Sequence, residues 1–286
     1  MRVAAINDLS GLGNCSLLAD IGVMSAMGID VCPVPTAVLT AQTGFPSYHM
    51  HDTGEMVKHS AKEWSGMGID FDGILTGYMP YDAIADDIYA FVQTFRKNHT
   101  LVLVDPVMGD DGLCYSNYTP QMLEKIKKLV SLADIITPNL TELCLLAGVD
   151  AKQLIAQIKS EKDLQTVASL CDRVRGNAGQ TVVVTGMSVG TERIYNIVST
   201  AEAYECIACS SNGKSYSGTG DLFAASLMAN VLNGKPVNEA VRATVEFIGR
   251  AIAQTKQTDR NFGVNFEAVL KEREEEKNGK TIGKNK

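Results

Sequence analysis

Short β-branched runs recur along this chain between longer amphipathic stretches, and that alternation limits the fold more than any other feature of the sequence. The runs are Val3 to Ile6, Val31 to Val34, Gly73 to Leu75, Leu101 to Val104, Asp134 to Ile136 and Thr181 to Val184. Such runs predict a mostly parallel sheet covered by helices on both faces. Helical periodicity is plain in Tyr81 to Lys97 and Gln121 to Leu132, where apolar residues fall near every third or fourth position. The expected fold is therefore α/β with three αβα layers and right-handed crossovers. Thr191 to Val198 and Ala203 to Ala208 read instead as two strands joined by a polar turn, an antiparallel edge to that sheet. Two long helices should follow, over Gly220 to Leu232 and Val237 to Thr255.

At 286 residues, 45% hydrophobic and 21% charged, the chain can bury a sizeable core around one sheet. We expect one domain over residues 1–270 and a charged, flexible tail over 271–286 that lacks an apolar stripe. The net charge of −7 argues against nucleic acid and anionic membranes as partners, so an anionic ligand would need local devices such as helix N-termini, amide nests or a metal ion. The first apolar run meets Asn7 and Asp8 at once, too soon for a signal peptide, and no transmembrane stretch follows. Seven cysteines form an odd set without a paired second cluster, which suits reduced thiols in the cytoplasm.

Ser215-Tyr216-Ser217-Gly218-Thr219-Gly220-Asp221 runs straight into the helix-forming Leu222 to Met228. A glycine-rich turn that opens a helix leaves the N–H groups of Gly218 to Asp221 free to surround an anion, and the helix dipole favours negative charge there. Asp221 would stand where a hydroxyl proton must go as its oxygen attacks a γ-phosphoryl group. Read alone, the segment fits a plain N-terminal cap equally well. Two other phosphate motifs fail: Gly213-Lys214-Ser215 has Ala208 where a P-loop needs glycine, and Gly11-Leu12-Gly13 has Ser16 as its third glycine.

Asp105-Pro106-Val107-Met108-Gly109-Asp110-Asp111-Gly112 follows the strand run Leu101 to Val104, and Thr137-Pro138-Asn139-Leu140-Thr141-Glu142 follows the next. Carboxylates past strand ends line the crevice of an α/β sheet, and oxygen ligands suit Mg²⁺. Turn formation at Asp105 and Asp110, and capping by Asn139 and Glu142, are the competing readings. Each segment should share one rim with Gly218 to Asp221.

These segments together resemble the ribokinase superfamily, specifically its vitamin-kinase branch of pyridoxal kinases and hydroxymethylpyrimidine kinases. The resemblance spans about residues 1–255 and rests on eight ordered matches: Asn7 to Asn14, Pro35 to Val38, Thr43-Gly44, Leu75 to Tyr78, Asp105 to Asp110, Thr137 to Glu142, Val184 to Gly186 and Gly218 to Asp221. It implies a ribokinase-like fold and Asp221 as general base, with Gly218, Thr219 and Gly220 forming the anion hole. It also implies that Asp105, Thr137, Asn139, Glu142 and Thr185 handle ATP, and that Asp110 and Glu142 handle Mg²⁺. Asp8, Ser10, Thr43, Gly44, Tyr115 and Asp221 are the substrate residues it implies, and it carries the expectation of a homodimer.

The activity so implied is phosphorylation of the 5′-hydroxymethyl group of a B6 vitamer by MgATP. Asp8-x-Ser10-Gly11 resembles the hydroxymethylpyrimidine kinases, whereas Thr43-Gly44 and Leu75 to Tyr78 resemble the pyridoxal kinases, whose usual Asn-His before Thr-Gly is Ala41-Gln42 here. A hydroxymethylpyrimidine kinase is thus the alternative, and a non-catalytic nucleotide- or vitamin-binding regulator is the alternative of another class. Residues 111–118 are expected to form a lid, in which Cys114 packs as a small residue or, as in some relatives, traps an aldehyde. His49, His51 and His59 lack a ligand frame and read as surface loop, and Trp64 reads as core.

Overall fold

The structure, a computed structural model, describes residues 1–190 and 193–272. In chain order its elements are β1 (Arg2–Ser10), α1 (Ser16–Ala26), β2 (Asp30–Leu39), β3 (Met50–Asp52), α2 (Glu55–Gly66), β4 (Gly73–Thr76), α3 (Ala83–Phe95), β5 (Leu101–Val104), β6 (Gly109–Asp110) and β7 (Leu113–Cys114). Then come α4 (Pro120–Val130), β8 (Ile135–Ile136), α5 (Leu140–Ala147), α6 (Ala151–Gln157), α7 (Leu164–Val174), β9 (Thr181–Val189), β10 (Arg193–Ser199), β11 (Tyr204–Ser210), α8 (Thr219–Leu232) and α9 (Val237–Gln254). The tail expected over 271–286 lies, from residue 273 on, outside the described residues.

Nine strands form one sheet in the order β11-β10-β9-β8-β5-β4-β1-β2-β3. The pairs from β2 through β1, β4, β5 and β8 to β9 are all parallel, and β10 and β11 add the expected antiparallel edge. A second antiparallel pair closes the other edge, where β3 runs against Ala37 to Leu39 of β2. Of the histidines expected in a surface loop, His49 lies exposed in the loop before β3, while His51 is on this edge strand and His59 is on α2. Three residues of mixed polarity carry no periodic signal, so tertiary pairing alone makes β3 a strand.

Alternation along the parallel strands divides the core in two. Ala4 and Ile6 of β1 face a layer built from α2, α3, α4, α5 and α7, while Val3 and Ala5 face α1, α8 and α9. These are the three αβα layers of a ribokinase-like fold. We propose that residues 1–270 make one folding unit, since both helical layers bury their apolar stripes against the same sheet. Trp64 packs as expected, with its ring 5.7 Å from Phe71 and 6.1 Å from Phe91. No helix among the described residues is long and apolar enough to cross a membrane.

The consequence for chemistry lies at the strand ends. β1, β4, β5, β8 and β9 all point the same way, so Asn7, Gly77, Asp105, Thr137 and Thr185 meet on one rim. The fully buried Phe71 anchors the aromatic cluster beneath α2 and α3. Phe71→Ala should destabilise the fold by about 3–5 kcal/mol in denaturant unfolding, and a loss under about 1 kcal/mol would show that the cluster is not part of the core.

Candidate active site

The glycine turn is built by close backbone approach. Gly218 is left-handed at φ 77°, and a Cβ there would lie 2.3 Å from the Asn14 carbonyl oxygen and 2.7 Å from the Cys15 Cβ. Only glycine fits on both counts. Gly218 at the N-cap has no side chain to cap the helix that follows, and the Thr219 hydroxyl turns back to donate to the Tyr216 carbonyl at 3.1 Å. The plain-cap reading of this segment therefore fails: Asp221 takes its own N–H, while the N–H groups of Gly218, Thr219 and Gly220 stand open at the positive end of α8.

Asp221 is the third residue of α8 and looks back at the end of β1. Its Oδ1 accepts from Asn7 Nδ2 at 3.1 Å, and the Ser16 N–H also donates to it. Burial pushes its pKa up to about 6, against those two hydrogen bonds, and the Asp8 charge raises it further. The carboxyl is thus tuned toward neutral pH, where a general base works best.

Asn7 holds this arrangement and was not singled out from the sequence. The same Nδ2 donates to Asp20 Oδ2 at 3.1 Å, while Oδ1 accepts the N–H groups of Asp8 at 3.0 Å and Tyr78 at 2.8 Å. A Cβ at Gly77 would fall 2.6 Å from the Asn7 side chain, which explains the glycine. Asp20 was missed as well. It is buried on the inner face of α1 with Oδ1 unpartnered, and burial together with the Asp221 charge holds its carboxyl well above the usual range. An acidic residue inside the apolar run Leu17-Leu18-Ala19-Asp20-Ile21 was the available signal.

Asp105 faces the turn from β5. A Cβ on Gly220 would be 3.8 Å from its Oδ2, and its Oδ1 accepts from the Thr137 hydroxyl at 3.0 Å. Burial first and the Asp221 charge second raise its pKa to about 7. Asn139 and Glu142 form a reciprocal capping box on α5, so capping is what these two side chains do in the fold. They do more than cap: Glu142 Oε1 accepts the Met108 N–H at 3.0 Å and Asn139 Nδ2 donates to the Gly109 carbonyl at 2.8 Å. Both contacts dock the Asp105–Asp110 segment. Thr185 joins this corner through its N–H on the Pro138 carbonyl, 3.0 Å.

Residues expected as a lid form the β6–β7 hairpin, with Asp111 and Gly112 both left-handed at its tip. Cys114 is exposed on this hairpin and does not pack as expected. Tyr115 is 43% exposed as a whole residue, while burial at its hydroxyl end, followed by the charges of Glu142 and Asp110, raises the hydroxyl pKa. Asp110 is exposed, with Oδ1 taken by the Asp111 N–H. Among the described residues no three His, Cys, Asp or Glu side chains are grouped to hold a metal unaided. The available oxygens of Asp105 and Asp110 suit a hard cation that arrives with a polyphosphate and keeps several waters.

The substrate candidates divide into two kinds. Asp8 and Ser10 are buried, the Ser10 hydroxyl donating to Asp8 Oδ2 at 2.8 Å, whereas Thr43 and Gly44 lie exposed on the loop after β2. Asp8 borders Asp221 electrostatically; Gly44 hydrogen-bonds through its carbonyl to Asn261 Nδ2 at 3.0 Å.

The raised Asp105 carboxyl generates a stability prediction. Unfolded, this group ionises near the ordinary value of about 3.9, and folded near 7, so the native state holds the extra proton between the two. Its contribution to stability is full below the unfolded value and is lost as pH rises through the folded one. Asn never ionises. The Tm of Asp105→Asn relative to the parent should therefore grow by roughly 3 °C or more between about pH 5 and pH 8 without nucleotide, and a pH-independent difference would refute the buried-charge account.

The phosphomethylpyrimidine kinase family model matches residues 12–265. Pyridoxine kinase of Bacillus subtilis (strain 168) is 28% identical over 210 residues, 71% of this chain and 72% of that one. The hydroxymethylpyrimidine/phosphomethylpyrimidine kinase of Aquifex aeolicus is 24% identical over 268 residues, 92% of this chain and 99% of its own. A Bacteroides thetaiotaomicron protein named for phosphomethylpyrimidine kinase, crystallised with pyridoxal, superposes with a TM-score of 0.85 at 30% identity, covering 95% of this chain and 94% of that one. With the glycine turn, the paired carboxylates and the ribokinase-like sheet already in place, the chain belongs to the phosphomethylpyrimidine kinase family.

Proposed function

We propose that this protein transfers the γ-phosphoryl group of ATP to the 5′-hydroxymethyl group of pyridoxal, pyridoxine or pyridoxamine. Kinase chemistry follows from the family; the acceptor is our reading. The observation that carries it is Asp221 at the third position of an uncapped helix N-terminus, with Asp105 across the glycine turn. The pyridoxal-bound relative at 30% identity supports a B6 ring as acceptor.

On this reading the acceptor hydroxyl lies against Asp221, which takes its proton as the oxygen attacks phosphorus. The N–H groups of Gly218 to Gly220 receive the negative charge of the transferred group, at the end of α8 where the dipole favours it. Asn7 and the Ser16 N–H keep the carboxylate aimed during the step. Asp110 and Glu142 would hold Mg²⁺ through waters, with Asp105 beside the ATP phosphates, and the ion would neutralise phosphate charge. Thr137, Asn139 and Thr185 would border the phosphates. Asp8, Ser10, Thr43, Gly44 and Tyr115 would surround the ring, the first two by shaping its floor. The β6–β7 hairpin would exclude water that otherwise hydrolyses ATP. A cytoplasmic homodimer completes the proposal by family resemblance.

A second acceptor, hydroxymethylpyrimidine or its monophosphate, is favoured by the family description and the Aquifex aeolicus relative. A panel of pyridoxal, pyridoxine, pyridoxamine and hydroxymethylpyrimidine, each with MgATP, decides between them: we expect kcat/KM for a B6 vitamer to exceed that for the pyrimidine. Asp221→Asn should lower kcat by about 10³-fold or more while ATP still binds. Retained turnover would remove Asp221 from the chemistry, and ATP binding without turnover in the parent would favour a regulator. Because Asp221 acts as carboxylate, kcat should rise with pH through about 6 and then level.

A further inference from the structure

The loop after β2 does not hang free beside the rim. Gln42 ties it down. The Gln42 N–H donates to the Leu12 carbonyl at 3.1 Å, and its side-chain Oε1 accepts the Gly44 N–H at 2.7 Å. Its Nε2 reaches the other way, donating to the Asn261 carbonyl at 3.1 Å and to Ser217 Oγ at 3.4 Å. One side chain thus spans the loop of residues 41–48, the segment around Asn261 and the residue before Gly218.

The amide orientation is fixed by its partners. Reversed, it would set an NH₂ against the Gly44 N–H and an oxygen against the Asn261 carbonyl. The surroundings are shaped to this side chain: a Cβ on Gly13 would lie 3.0 Å from Gln42 Cγ, and a Cβ on Gly44 would lie 2.9 Å from Gln42 Nε2 and 2.6 Å from Asn261 Oδ1. Phe45 adds an edge contact with Phe262, ring centroids 5.1 Å apart, and Asn261 Nδ2 donates back to the Gly44 carbonyl. The Ser217 N–H in turn donates to the Arg260 carbonyl at 3.1 Å. The loop that carries Thr43 and Gly44 is therefore referenced, through Gln42, to the same turn that would hold the phosphoryl group.

We propose that Gln42 is a positioning residue that sets the acceptor loop at a fixed height over the Gly218–Asp221 turn, so that an acceptor held by the loop presents its hydroxyl to Asp221. The inference rests on the kinase reading above and adds the residue that registers acceptor against phosphoryl group. Gln42 touches neither reacting atom. It acts through Gly44 on one side and Ser217 on the other.

Gln42→Ala removes both ends of the tie, and Gln42→Glu keeps the acceptor for Gly44 while setting an oxygen against the Asn261 carbonyl, which can only accept. Both variants should raise KM for the best acceptor of the panel about tenfold and leave KM for ATP within about twofold. Hydrogen exchange read by mass spectrometry should quicken in residues 43–48 and stay unchanged in β4 and β5. Equal rises in both KM values, or an unchanged acceptor KM with unchanged loop exchange, would overturn the proposal. A parent enzyme that phosphorylates no acceptor would overturn the kinase reading instead; the exchange comparison would still show whether Gln42 holds the loop.

Discussion

The contact between Gly218 and the backbone of Asn14 and Cys15 sets the position of everything else in the site. Two chain segments more than 200 residues apart approach so closely that no side chain fits between them. That approach locks the N-terminus of α8 to the end of β1 and the start of α1. Asp221 then needs no reach of its own: as the third residue of the helix it already faces Asn7, and the helix supplies open N–H groups beside it. A site built on the ends of a strand and a helix holds its geometry better than one built on loops.

Negative charge is the second constraint. Asp8, Asp20, Asp105 and Asp221 crowd around this contact with Glu142 behind them, burial raising the pKa of all five, and the exposed Asp110 stands at the margin. Such a cluster is an unfavourable way to build a core, since buried carboxylates of like charge resist ionising together. It becomes reasonable where the partner is a polyphosphate with its cation, because the cation reverses the local balance while open amides receive the phosphate. The clustered carboxylates thus fit the polyphosphate and cation proposed above, and structural roles run alongside. Glu142 caps α5 and docks Met108 with the same two oxygens.

Most of the architecture was legible because parallel strands buried on both faces read as short β-branched runs. β5 and β4 follow their sequence runs closely, and the β10–β11 edge stood out for its polar turn. β3 was not legible, since Met50–Asp52 has no periodicity and becomes a strand only by lying against β2. In the site, the residues in recognisable turns, Gly218, Asp221, Asp105 and Asn139, all come to the rim where their turns predicted them. Asn7 and Asp20 were not marked as site residues, because what makes them important is a relay rather than a local pattern: Asn7 donates both to Asp20 and to Asp221, 214 residues further on. Cys114 was expected to pack and is exposed, a consequence of a hairpin whose two strands have two residues each.

The division between strand ends and loops also bears on acceptor choice. On the proposed reading, the groups that would handle phosphate and proton come from the ends of β1, β5 and β8 and the start of α8, elements fixed by the core. Those proposed to face the acceptor ring, Thr43, Gly44 and Tyr115, lie instead on the loop after β2 and just past the small β6–β7 hairpin. One rigid frame can therefore serve either ring class. Changing the ring requires only that the loop be set differently, and the contacts that set it here run through Gln42, Asn261 and Phe262. Chemistry in this fold is a property of the sheet, and specificity a property of what the sheet's loops are tied to.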